Sequence, residues 1–105
     1  MIVISRFSVP EDDGAAFAAR AEAALAVLSP HPGYRRGSLC RAVDDPTRWV
    51  LVTEWDGVGP YRRALSAYGV KVAATPLLAE SVDEPSAYEV LLDDGGRRPS
   101  DRASR

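Results

Sequence analysis

Between Trp49 and Pro60 the chain alternates in a way that leaves few folds open. Trp49, Leu51, Thr53 and Trp55 fall on one side of an extended segment, and Val50, Val52, Glu54 and Asp56 fall on the other. Both rows begin with large or β-branched apolar groups, the pattern of a central strand covered on both sides. The run ends at Asp56-Gly57, and Pro60 suits the first turn of a helix. Strand and following helix therefore meet where Trp55 and Tyr61 are expected to face one cavity.

The remaining elements are arranged around this strand. Ile2 to Val9 reads as a first strand, with Val3, Ser5 and Phe7 on one side and Ile2, Ile4 and Arg6 on the other, until Pro10 stops the ladder. From Glu11 to Ser29, Phe17, Ala21, Ala24, Leu25 and Leu28 recur at helical spacing, and Glu11, Asp12 and Asp13 lie at the end where the helix dipole favours negative charge. Ser29-Pro30-His31-Pro32-Gly33 breaks that helix and leads into a second strand over 34–43, whose Arg35, Arg36, Gly37 and Arg41 mark it as an edge. Asp44-Asp45-Pro46-Thr47 has hairpin chemistry, with Asp able to bond nearby backbone N–H groups.

After the central strand, Tyr61, Ala64, Leu65 and Tyr68 mark one face of a second helix, with Gly69 as a left-handed terminator. Val70 to Ala74 continues as a short helical piece, and Thr75-Pro76-Leu77-Leu78 reads as a new N-cap and first turn. A last strand is expected over 87–92, and 93–105, rich in Gly, Pro, Ser and charge, is expected to be a mobile tail to a domain over 1–92.

The order is β-α-β-β-α-β, an α+β ferredoxin-like fold: a four-stranded antiparallel sheet with the first and third strands in the middle and helices on one face. The opposite face then carries apolar rows with nothing to cover them. Such a patch predicts a homodimer with two sheets packed face to face, a dimeric α/β barrel.

Composition removes several function classes. With 105 residues, 46% of them hydrophobic, the chain forms one domain. Thirteen basic and 15 acidic residues give a net charge of -2 and no sustained basic face, which argues against a nucleic-acid partner. No apolar run approaches the length of a membrane span, and Met1 to Ile4 reads as a strand and not a signal peptide. Cys40 is the single cysteine, which suits a reducing cytoplasm. One histidine and no spaced carboxylate cluster leave no metal set.

Phe7-Ser8-Val9-Pro10, Pro32-Gly33-Tyr34, Asp45-Pro46, Leu51 to Asp56 and Tyr88-Glu89-Val90-Leu91 together resemble the antibiotic biosynthesis monooxygenase (ABM) family of dimeric α+β barrels. The resemblance implies a pocket between helices and sheet in which a polycyclic phenol, quinol or other enolisable compound reacts with O2 through its own anion, without metal, flavin or other cofactor. The protein would supply a dry cavity and donors for the developing charge.

On that basis Trp55 and Tyr61 are candidate wall and donor, and His31, the one imidazole, is a candidate base. Ser5, Phe7, Tyr34, Leu51, Thr53, Leu65 and Tyr68 are the candidate substrate-binding residues. Each has a plainer role: aromatic side chains at strand ends and on helix faces fill cores, and a histidine between two prolines suits an exposed turn. Haem-degrading relatives also resemble the chain at its two ends, but Tyr61 to Ala74 lacks the histidine and tryptophan that they use, which disfavours haem chemistry. The alternative to an enzyme is a non-catalytic dimer of the same fold that binds a small apolar ligand or serves only in association; the absence of Asn and Gln, the neutral amide donors, favours it.

Overall fold

The computed structural model describes residues 1–95; the expected tail lies outside the described residues except for 93–95, which are irregular. The elements are β1 (Ile2–Ser8), α1 (Gly14–Leu28), β2 (Tyr34–Arg41), β3 (Arg48–Trp55), α2 (Val58–Leu65), α3 (Tyr68–Ala73), α4 (Thr75–Leu78) and β4 (Ala87–Tyr88). They form one antiparallel sheet in the order β2-β3-β1-β4, so β1 and β3 are central and β2 is an edge.

Register explains where the core sits. Val3 pairs with Thr53, Ser5 with Leu51 and Phe7 with Trp49, so all six side chains share the helix-covered face. Val3, Ser5, Phe7, Leu51, Thr53 and Trp55 are all buried there. The other face carries Ile2, Ile4 and Arg6 opposite Glu54, Val52 and Val50, and these remain half-buried in the single chain.

Helix α1 presents Phe17, Ala21, Ala24 and Leu28 to the sheet, a stripe repeating at three and four residues. Ala21 and Ala24 are fully buried, and their short side chains bring the helix close to the strands. Glu11, Asp12 and Asp13 form a 3₁₀ turn just ahead of α1, placing negative charge at its N-terminal end. In the β2–β3 connection, Asp45 Oδ1 accepts hydrogen bonds from the Thr47 backbone N–H at 3.0 Å and the Thr47 hydroxyl at 2.6 Å.

Four sequence expectations are corrected. Gly69 does not terminate the second helix: it lies inside α3 and is not among the left-handed glycines. The break falls at Ser66, whose hydroxyl donates to Arg63 O at 2.7 Å and whose N–H is shared between Arg62 O and Arg63 O, closing the helix without a glycine. The restart shifts the helical phase, so Tyr68, expected on the buried face, is 83% exposed.

Thr75 is the first residue of α4 and not its N-cap, and its hydroxyl turns back toward Val70 O at 3.5 Å. The last strand stops at Tyr88 instead of Leu92. Ala87 pairs with Val3 and Tyr88 with Ile2, where β1 begins, so the described residues beyond Tyr88 have no strand of this sheet beside them. Val90, Leu91 and Leu92 are left exposed.

Candidate active site

Between sheet and helices lies a cavity lined by Val3, Ser5, Leu28, Leu51, Thr53, Tyr61 and Leu78. Alternation puts Ser5 and Thr53 on the covered face of the central strands, and Tyr61 reaches down from α2. These three are the hydroxyl-bearing residues of a lining that is otherwise aliphatic. The space open to the centre of a water-sized sphere is about 10 Å³, room for about one water molecule or oxygen atom.

A hollow sized for fused rings is expected at this place, and the helices occupy it instead. Val70 and Leu77 are among the most completely buried side chains, and Leu78 closes the roof.

Trp55 is fully buried behind this cavity and does not line it. The Tyr34 ring meets its indole edge-on, with centroids 5.2 Å apart, and the Tyr61 ring lies 5.4 Å away at 53°. The indole N–H donates to Thr53 Oγ1 at 2.9 Å, an i, i+2 link along one face of β3. Burial pushes both the Tyr61 and Tyr34 phenols above their ordinary pKa, which favours the protonated, hydrogen-bond-donating form.

The other candidates lie elsewhere. Phe7 packs against Phe17 at 4.9 Å, in a second aromatic group with Trp49. Leu65 packs on the core without reaching the cavity, and Tyr68 faces solvent. His31 sits in the loop between α1 and β2, where its backbone N–H donates to Leu28 O and its carbonyl accepts from the Tyr34 N–H, both at 3.1 Å. Val3, Leu28 and Leu78 complete the wall without having been singled out for it; Val3 shared the face of Ser5, whereas nothing in the sequence pointed Leu78 inward.

Larger hollows open on the surface, two of which flank the central strands or the sheet's β4 end. One, of about 270 Å³, is lined by residues that include Arg6, Cys40, Val50, Val82 and Glu84; the other, of about 640 Å³, lies between Met1, Asp56 to Val58 and Ala87 to Val90. Among the described residues no group of His, Cys, Asp and Glu is placed to hold a metal, and no helix is long and apolar enough to cross a membrane.

Residues 1–73 match the model of the antibiotic biosynthesis monooxygenase family. The chain belongs to that family. Among solved structures it is similar to SnoaB of Streptomyces nogalater, a cofactor-independent oxygenase, with 27% identity and a TM-score of 0.60 over 88% of this chain and 96% of that one. A SnoaB variant gives 25% identity and a TM-score of 0.67 over 90% and 96% of the two chains. Rv0793 of Mycobacterium tuberculosis shares the fold at 19% identity, with a TM-score of 0.69 over 89% and 96%.

A 42.8 kDa protein in the whiE locus of Streptomyces coelicolor is 30% identical over 70 residues, 66% of this chain. The chain spans only 18% of the length of that curated relative. For this ABM-family chain the helix-covered side of the sheet, with Ser5, Thr53 and Tyr61 converging, is the candidate site.

Proposed function

We propose that the chain is a cofactor-independent monooxygenase that oxidises a polycyclic phenolic or quinol-like molecule with O2 in the space between sheet and helices. Family membership and the likeness to SnoaB support the reaction class. The observation that carries the reading is that Ser5, Thr53 and Tyr61, three hydroxyl-bearing residues, line one otherwise apolar cavity. Oxygenation through a substrate anion needs that combination: low polarity around the reacting carbon and a few fixed donors for the charge.

For an anthrone, loss of a proton from the ring CH2 gives a delocalised anion. Addition of O2 at that carbon and loss of one water leave a carbonyl, so one oxygen atom enters the substrate and the other leaves as water.

Several fused rings need a pocket on the order of 300 Å³ or more, so α2, α3 and α4 move outward when substrate enters. The breaks at Ser66-Ala67 and Ala74 divide this roof into short helices that can shift separately. The working unit is a homodimer stacked through the open sheet face, whose half-buried Ile2, Ile4, Val50 and Val52 supply the apolar contact. We assign it to the cytoplasm, where an exposed thiol such as Cys40 stays reduced.

The nearly filled interior is the one observation that favours a non-catalytic dimeric binding or association module. Oxygen uptake with a panel of anthrones and hydroquinones, in chelator and without flavin, separates the two. Uptake is expected; its absence across the panel leaves the association role.

A further inference from the structure

We infer that the cavity is a socket for a single anionic oxygen of the ligand, in which the Thr53 hydroxyl donates to that oxygen and Trp55 acts as the positioning residue that aims it. This rests on the functional reading above and adds the group recognised and how it is held.

The orientation of Thr53 follows from what each partner can do. An indole N–H only donates, so the 2.9 Å contact from Trp55 Nε1 occupies a lone pair of Thr53 Oγ1. A threonine hydroxyl has one proton, and its Cβ position on a β-strand leaves few rotamers for it. In the proposed socket, with Trp55 on one side, that proton turns toward the cavity that Thr53 lines. Fixed this way, the donor needs no reorganisation when charge develops in front of it.

The lining also selects the kind of anion. Ser5 and Tyr61 add two further hydroxyl-bearing residues, Val3, Leu28, Leu51 and Leu78 complete the wall, and among the described residues no cation or carboxylate lines it. Neutral donors in an apolar wall suit an oxygen whose charge is spread over an aromatic system, whereas a phosphate or carboxylate would be desolvated without a counter-charge. With the roof closed, the volume of about 10 Å³ has room for one oxygen atom. The rings to which the oxygen belongs lie outside the socket, in the space opened by the roof.

A hydroxyanthraquinone tests this without any oxidation, because it changes colour when it ionises and is already fully oxidised. The full-length chain, mixed with this probe and titrated by absorbance, is expected to lower the ionisation pH of the bound probe by about one unit, a tenfold preference for the anion. Thr53→Val should abolish most of the shift, Thr53→Ser should restore it, and Trp55→Phe should reduce it with the probe still bound.

No shift with the wild-type chain, or an equal shift with Thr53→Val, overturns the proposal; the latter result would mean that the hydroxyls merely house a structural water. Should Thr53→Val fail to fold, the Trp55→Phe titration decides, an undiminished shift overturning the positioning role. A normal shift with no oxygen uptake on any anthrone would sink the oxygenase reading and leave the socket standing.

Discussion

Gly33 and Pro60 occupy one another's space at the joint between the β2 entry and α2. Gly33 has φ of +88°, and a Cβ added to it would overlap the Pro60 ring. Its carbonyl accepts the Asp56 N–H at 2.8 Å, so this contact ties the end of β3 to the loop before β2. Gly33→Ala is therefore expected to cost about 2 kcal/mol or more, from the left-handed backbone and the collision together. Urea unfolding checks it, and an unchanged midpoint would show that the joint yields freely.

Removing the Tyr61 hydroxyl takes away a donor without emptying the core. Tyr61→Phe should lower kcat by about a hundredfold, the usual loss for one donor to a developing anion, with KM little changed and the unfolding midpoint preserved. Stopped-flow absorbance of anthrone turnover measures this. Equal losses of stability and activity would instead mark Tyr61 as a packing residue.

Acidification should loosen the β2–β3 connection. Asp45 is held below the ordinary carboxylate range, first by the Thr47 hydroxyl, then by the Thr47 backbone N–H, with Arg48 adding to the effect. A depressed folded-state value means that the contribution is complete above the unfolded-state pKa and is lost as pH falls through the folded one. The slope of urea midpoint against pH in the acid range should flatten in Asp45→Asn. A parallel slope in the variant would assign the acid sensitivity to other carboxylates.

Ile4 and Val52 pair at the centre of the open sheet face. The wild-type chain is expected to sediment as two copies, and Ile4→Glu as one, because a charge there is buried without a partner when two sheets meet. A wild-type mass of one chain would remove the dimer.

The sheet was legible because a period of two residues assigns every side chain to a face. Trp49, Leu51, Thr53 and Trp55 had to share one, and Val3, Ser5 and Phe7 had to answer them. The candidate site was legible in part: Ser5, Leu51, Thr53 and Tyr61 meet in one cavity, and the other six candidates do not line it. What failed depended on distant geometry. The end of β4 was set by where β1 begins, and the exposure of Tyr68 by a serine hydroxyl that ended α2 early. Whether the cavity is roomy depends on how far the helices stand from the sheet, which no local pattern reports. Spacing placed Trp55 beside Thr53, but only the rotamers showed its N–H committed there.

Val90, Leu91 and Leu92 stand exposed just past the end of β4, and β2 lies at the opposite edge of the sheet. An exposed apolar segment at one margin and an open strand edge at the other are a head-to-tail liability, because a contact between copies through them would not close on itself. Asp93 and Asp94 follow Leu92 directly, the kind of charge that flanks an apolar segment and discourages such growth.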